Sequence, residues 1–116
     1  MKPPIIIDDH GDISVFESVE RAERYLEPDD AETDPINIFD ADGRLLVQRV
    51  IKKRRPWLGH VRVVELQSSE GEPQHQRQLR NTLIKFLSFL EEEPEESYDS
   101  WSLSELIQKG LEYKIE

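Results

Sequence analysis

Two pairs of short apolar segments, each pair joined by a turn-forming sequence, constrain the fold of this chain more than any other feature. Ile5–Ile7 and Ile13–Phe16 flank Asp8-Asp9-His10-Gly11-Asp12, and Ile36–Phe39 and Leu45–Ile51 flank Asp40-Ala41-Asp42-Gly43. Asp and Gly favour tight turns, and connections this short leave no room for a crossover helix. The sequence therefore predicts two β-hairpins and an antiparallel sheet.

A fifth strand is predicted over His60–Leu66, after the turn sequence Pro56-Trp57-Leu58-Gly59. Its apolar side chains alternate onto both faces, which is typical of a central or well-covered strand. The segment Glu27–Pro35 lies between two prolines, is dominated by acids and has no apolar residue larger than alanine. We expect it to be an exposed loop.

Three helices are predicted from their capping residues and apolar spacing. Ser18 is a suitable N-cap for a first helix that Pro28 ends. A long helix from Pro73 to about Leu90 carries a leucine-rich stripe that suits the main cover of the sheet. The capping box Ser102-Leu103-Ser104-Glu105 begins a last helix that ends at Gly110. Whether Leu111–Glu116 forms a strand or a tail stays open.

The resulting order is strand, strand, helix, three strands and two helices. It predicts one α+β domain over residues 1–116, with an antiparallel sheet of about five strands and helices packed mainly on one face. A chain of 116 residues is long enough for one hydrophobic core and short for two independent domains.

Composition excludes several classes of function. The chain has no cysteine, so thiolate catalysis, disulfides and iron–sulfur sites are excluded. No apolar run approaches the roughly 18 residues of a membrane span, and the N-terminus does not resemble a signal peptide. We expect a cytoplasmic protein without a membrane interaction or a cofactor. With 15 basic and 25 acidic residues, the chain has a formal charge of −10. This charge favours a cationic partner over nucleic acid. The alternative is that the negative charge serves only to keep the protein soluble.

None of the candidate catalytic or metal sites in the sequence has the set of residues that its chemistry requires. Asp8–Asp12 holds possible metal ligands, but a turn directs its side chains apart and no second cluster completes the set. In Asp40–Gly43, a calcium-loop alignment places Ile38 and Arg49 where oxygen ligands belong. The three histidines have no neighbours that form a triad, and no glycine-rich phosphate loop occurs. We therefore predict no catalytic residue and no metal site.

Two segments hold over half of the acids: seven lie in Glu27–Asp42 and six in Glu91–Asp99. If the fold brings them together, they form a negative face with aromatic anchors at Phe39, Tyr98 and Trp101, although Phe39 is favoured as a core residue. The alternative is two unrelated solvated loops. The candidate partner-binding residues are Asp29, Asp30, Glu32, Asp34, Glu92, Glu93 and Trp101.

The basic residues are also unevenly spread. The segment Arg44–Arg62 contains seven of the 15 basic residues and no acid. An alternative function is therefore nucleic-acid binding, in which a cationic stretch contacts phosphates and an aromatic ring stacks on a base. The opposing interpretation is a solvated strand edge whose cations prevent aggregation and pair with the protein's own acids. The candidate nucleic-acid-binding residues are Lys52, Lys53, Arg54, Arg55 and Trp57.

The sequence from Ile13 to Pro28, followed by Ile38-Phe-Asp-Ala-Asp-Gly-Arg-Leu-Leu46, resembles a group of small, often uncharacterised bacterial α+β proteins. Some members of that group resemble immunity proteins of secreted toxin systems. The resemblance covers about the first 46 residues and implies a fold of strand, helix, acidic loop and hairpin. With the acidic charge, it leads us to expect a non-enzymatic protein-binding module, and specifically an immunity-type inhibitor of a toxin or nuclease with a basic surface.

Overall fold

The structure is a computed structural model that describes residues 1–113. Its elements include five strands, four α-helices and a 3₁₀ turn at Glu95–Tyr98, and the α+β class is confirmed. The strands are β1 Ile5–Asp9, β2 Asp12–Phe16, β3 Asn37–Phe39, β4 Leu46–Arg55 and β5 Gly59–Ser68. The helices are α1 Val19–Tyr25, α2 Pro28–Thr33, α3 Gln76–Glu91 and α4 Leu103–Leu111.

The strands form two sheets, and the prediction of one five-stranded sheet is wrong. Three strands pair antiparallel in the order β2-β1-β3, while β4 and β5 form a separate two-stranded ribbon. Strand β3 pairs with β1 through Ile6 opposite Phe39, and within the described residues the one β-bridge on its other side joins Phe39 to Leu45, just before the ribbon. The second predicted hairpin therefore separates after one bridge.

The turn from Asp40 to Arg44 explains this separation. The Asp40 carboxylate points inward and accepts hydrogen bonds from the backbone N–H groups of Asp42 at 3.0 Å and Arg44 at 2.9 Å. Gly43 has φ +91° and packs against Gln76 at the start of α3, where a Cβ would lie 2.5 Å from Gln76 Cγ. Because the turn is docked against α3 and folded around its own carboxylate, the chain leaves the sheet as it enters β4.

The three-stranded sheet separates two hydrophobic cores. Side chains alternate along β1, so Ile6 packs with α3 and α4, whereas Ile5 and Ile7 pack with α1 and the base of the ribbon. Leu79, Leu83 and Leu87 fill the first core, in agreement with the predicted apolar stripe of α3. The helices are thus divided between the two cores, and packing mainly on one face is not confirmed.

The β4–β5 ribbon, called the arm below, extends beyond both cores. Only its base is buried, through Leu46, Val64 and Leu66, whereas every residue from Lys52 to His60 is exposed. The molecule measures 51 × 29 × 23 Å and has a radius of gyration of 15.2 Å. A compact chain of this size would have a radius of about 13 Å. The elongation fits a projecting arm of strands about 34 Å long.

Other boundaries differ from the prediction in informative ways. The expected loop Glu27–Pro35 contains the short helix α2, which has Pro28 at its start and acids in its first turn, where the helix dipole favours them. Strand β5 is not central, because it belongs to a two-stranded ribbon. The Ser102 and Glu105 capping box is formed as predicted. Leu111 ends α4, and residues 114–116 lie outside the described part of the chain.

Candidate binding surfaces

A cavity lined by carboxylates lies beside α2, and we call it the acidic pocket. It has a volume of about 350 Å³, and its four carboxylates come from Asp9, Glu27, Asp30 and Asp34. Leu26 and Ile36 supply apolar wall, Tyr25 is half exposed, and Gln48 reaches it from the base of the arm. Among residues 1–113, no lysine or arginine lines this pocket. An aliphatic stem with a cationic head, as in lysine or arginine, matches such a lining.

The four predicted acids of the α2 region have different roles. Asp30 and Asp34 line the acidic pocket. Asp29 and Glu32 instead face the arm and form ion pairs with Arg62, with 2.9 Å between Asp29 Oδ1 and Arg62 Nη1. These pairs are exposed, so each contributes little to stability. They nevertheless reduce the charge that Asp29 and Glu32 present to a partner.

Asp34 also meets the turn of the first hairpin. Its Oδ1 lies 3.0 Å from His10 Nε2, and this hydrogen bond, with the charge of Asp34, raises the pKa of His10 above its usual range. Donor atoms of Asp9, His10 and Asp34 lie within 4.8 Å of one another. The third donor comes from 24 residues away, which is why the sequence did not indicate it. All three side chains are exposed, an arrangement common without a metal, and we assign none.

Glu92, Glu93 and Trp101 lie on the other side of the three-stranded sheet. Glu92 ends α3 in a left-handed conformation, and the Glu93 N–H donates to the Ser88 carbonyl at 3.1 Å. Trp101 is partly buried against the first core, with its ring 5.2 Å from that of Tyr98. The two acidic segments therefore do not form one face, and Phe39 and Tyr98 are core residues.

Glu91, the first acid of the second segment, is engaged within the protein. Its carboxylate accepts hydrogen bonds from Tyr98 Oη at 2.6 Å and Tyr113 Oη at 3.0 Å, and lies 3.2 Å from Lys109 Nζ. The bond from Tyr98, followed by those from Tyr113 and Lys109, outweighs the opposing effect of burial and lowers the pKa of Glu91. This carboxylate joins α3 to α4 and is not offered to a partner.

The arm carries the predicted basic candidates. Lys52, Lys53, Arg54 and Arg55 are all exposed, and within residues 1–113 none of them forms an ion pair. Trp57 lies at the tip and is fully exposed. The expected pairing of the basic segment with the protein's own acids is therefore limited to its two ends. Arg62 pairs with α2, and Arg44 pairs with Asp40 and Asp42.

A second cavity of about 560 Å³ separates the arm from α1 and the start of α2. Glu20, Glu23 and Glu27 line one wall, and Lys53, Arg55 and Arg62 line the other. Glu23 also accepts a hydrogen bond from the backbone N–H of Leu66 at 2.7 Å, which caps the open edge of β5. The acidic body and the basic arm therefore face each other across an open cleft.

Comparisons with protein-family models, with curated proteins and with solved structures found no match to this chain. Among residues 1–113, no helix is long and apolar enough to cross a membrane. The geometry of the acidic pocket and of the arm is therefore the basis for the functional argument.

Proposed function

We propose that this chain is a non-enzymatic protein-binding module that holds a cationic partner at the acidic pocket, in the manner of an immunity-type inhibitor. The single observation that carries the proposal is a concave site whose lining, in the described part of the chain, has four carboxylates and neither lysine nor arginine. Of the seven acidic-face candidates, Asp30 and Asp34 are the ones that we assign to this contact.

The pocket offers more than negative charge. A partner lysine or arginine that enters it lays its aliphatic stem against Leu26 and Ile36 and brings its charged head to Asp30 and Asp34. Charge-assisted hydrogen bonds to carboxylates are stronger than neutral ones, and a partly enclosed site screens them less than open water. Tyr25, half exposed at the same pocket, adds the kind of aromatic contact that protein interfaces favour.

The net charge of −10 supports the same class of partner. It speeds encounter with a basic surface, such as a nuclease cleft shaped for phosphates, and the pocket then supplies a local contact. Within the first 46 residues or so, the chain resembles small, often uncharacterised bacterial proteins, some of which resemble immunity proteins, and this would agree with a stoichiometric inhibitor. The resemblance names no functional residue, so the assignment of Asp30 and Asp34 depends on the pocket alone.

The test uses the product of the gene next to the gene of this chain, because a toxin and its inhibitor need to be produced together. The catalytic part of that protein is expressed with and without this chain, and the affinity of the purified pair is measured calorimetrically at two salt concentrations. We expect the chain to protect the cells and to bind one to one, with affinity that falls as salt rises. A neighbour that is harmless and does not bind overturns the proposal.

A charge-reversed pair of variants locates the contact. Asp30→Lys combined with Asp34→Lys reverses two pocket carboxylates, and Glu95→Lys combined with Glu96→Lys makes the same charge change at the exposed 3₁₀ turn. The pocket variant places two positive charges against the cationic side chain of the partner, and like charges brought together at an interface cost several kcal/mol, so it should bind at least tenfold more weakly. Equal losses in both variants would indicate long-range charge alone and would remove the pocket from the proposal.

A further inference from the structure

We infer that the arm is a second binding site, independent of the acidic pocket, and that it inserts into the groove of double-stranded DNA. The inference rests on how the cations are distributed over the two faces of the arm, on the backbone at its tip, and on the exposure of its outer half.

The register of the arm places cations on both of its faces. Lys52 pairs with Arg62 and Arg54 with His60, while Lys53 pairs with Val61 and Arg55 with Gly59. Cross-strand partners share a face and successive residues alternate, so Lys52 and Arg54 lie on one face and Lys53 and Arg55 on the other. A flat anionic surface, such as a membrane, needs cations on one face only. A groove with phosphates along both walls matches a ribbon that is positive on both faces.

The dimensions fit as well. The major groove of B-form DNA is about 12 Å wide and admits a two-stranded β-ribbon. Nine consecutive exposed residues, Lys52 to His60, form the part of the arm that would enter.

The tip contains a residue that local backbone chemistry does not favour. The Leu58 N–H donates to the Arg55 carbonyl at 3.3 Å, with Pro56 and Trp57 at the centre of the turn. Trp57 has φ +72°, a conformation in which glycine is the usual residue. The residue is fully exposed, so no packing within the described structure compensates for that conformation. A fully available indole is suited to stacking on a base or wedging between base steps.

The acidic body faces part of the arm, because Lys53 and Arg55 line a cleft whose other wall carries Glu20, Glu23 and Glu27. All four cations from Lys52 to Arg55 are nevertheless exposed, and within residues 1–113 none of them is held in an ion pair. Because charges are screened over about 10–15 Å near 0.05–0.1 M salt, acids on more distant parts of the body have little effect on them. Asp29 and Glu32 neutralise Arg62, which lies nearer to the base.

The experiment measures fluorescence anisotropy of a labelled 20-base-pair duplex at 50 and 200 mM salt with the full chain. Four phosphate contacts predict a slope of about −3.6 in log K against log salt, which is roughly a hundredfold loss of affinity over this range. The single strand of the same sequence and anionic vesicles serve as competing probes. We expect the duplex to bind more tightly than either.

Matched variants assign the contact to the arm. Lys53→Glu with Arg54→Glu changes one cation on each face, and Arg77→Glu with Lys85→Glu makes the same change on exposed positions of α3. We expect the arm variant to lose binding and the α3 variant to keep it. Trp57→Ala should weaken binding about tenfold and Trp57→Tyr much less, since stacking needs a ring. The pocket variant Asp30→Lys with Asp34→Lys should keep duplex binding, which separates this inference from the proposed function.

Absence of duplex binding at 50 mM salt overturns the inference, as does tighter binding to the single strand or to vesicles. Equal losses in the arm and α3 variants overturn it too. If the cations serve only to keep strand edges from pairing, the neutral variant Lys53→Gln with Arg54→Gln should aggregate. In that case the wild type should also show no binding to the duplex. That combination of results would replace the DNA site with a solubility role.

Discussion

Replacing Asp40 with alanine should cost the protein about 3–5 kcal/mol of unfolding free energy. The Asp40 side chain is fully buried and accepts four hydrogen bonds: from the N–H of Lys2 at 3.2 Å, of Asp42 at 3.0 Å and of Arg44 at 2.9 Å, and from Arg44 Nη1 at 3.2 Å. Alanine leaves three backbone N–H groups without their acceptor, at about 1 kcal/mol or more each, and leaves Arg44 with a weaker set of partners.

The assay is urea denaturation followed by circular dichroism and tryptophan fluorescence, with Asp42→Ala as the matched control. Asp42 lies in the same turn and contacts Arg44 Nη1 at 3.0 Å, but its side chain is 36% exposed, so its loss should cost less than about 1 kcal/mol. For a chain of this size, 3 kcal/mol corresponds to a fall in Tm of roughly 10 °C or more. If Asp40→Ala unfolds within about 1 kcal/mol of the wild type, the buried carboxylate does not organise this turn.

The pH dependence gives an independent check. Burial opposes the ionisation of Asp40, but the hydrogen bonds from Arg44, Lys2 and Asp42 outweigh it and lower the pKa of the carboxyl below 3.8. A lowered pKa in the folded state means that the contribution to stability is present above pH 3.8 and is lost as the pH falls through the folded-state value. The advantage of the wild type over Asp40→Asn should therefore narrow below about pH 3.8. A difference that stays constant with pH would contradict an ionised Asp40.

Three further outcomes follow from the geometry. Gly43→Ala should lower the unfolding free energy by about 2–4 kcal/mol in the same urea assay, because the added Cβ would lie 2.5 Å from Gln76 Cγ and the backbone has φ +91°. Gly71→Ala is the control and should change it little, because a Cβ there meets nothing within 4 Å. Asp34→Asn should lower the pKa of His10 toward 6.5 in an NMR titration, because Asp34 raises that pKa in the wild type. The contribution of the pair to stability is present below pH 6.5 and is lost as the pH rises through the folded-state pKa. An unchanged His10 titration would exclude the contact. Burial, with the hydrogen bond to Glu91, raises the pKa of Tyr98 to about 12. The difference between ultraviolet titrations of the wild type and of Tyr98→Phe should therefore show ionisation at about pH 12, and stability should be lost between pH 10 and 12. A step near pH 10 in this difference would contradict the buried contact.

The parts of the fold that the sequence predicted are those determined by neighbours along the chain. The first hairpin forms around Asp8–Asp12, the Ser102 capping box forms with Glu105, and the leucine stripe of α3 enters a core. Each of these depends on spacings of a few residues. The short helix α2 was missed because it buries no residue and so has no apolar pattern to detect.

The division into two sheets depends on contacts that are distant in sequence. Strand β3 joins β1 through the pairing of Phe39 with Ile6, and the packing of Gly43 on Gln76 directs the chain away from the sheet after the bridge from Phe39 to Leu45. The acidic pocket likewise joins Asp9 with Asp34, and Arg62 meets an acid 33 residues away. Composition indicated that acids and bases were segregated, but only the tertiary fold determines which acids are neutralised and which line a cavity.

The alternation of Ile5, Ile6 and Ile7 between the two cores has a consequence for how the molecule opens. Because β1 supplies buried side chains to both sides, neither core can separate from the other without withdrawing this strand from its remaining contacts. We expect the amide hydrogens of β1 to exchange with solvent only through global unfolding, and those of the arm from Lys52 to His60 to exchange through local fraying. A cooperative body and a loosely protected arm would then coexist in one short chain.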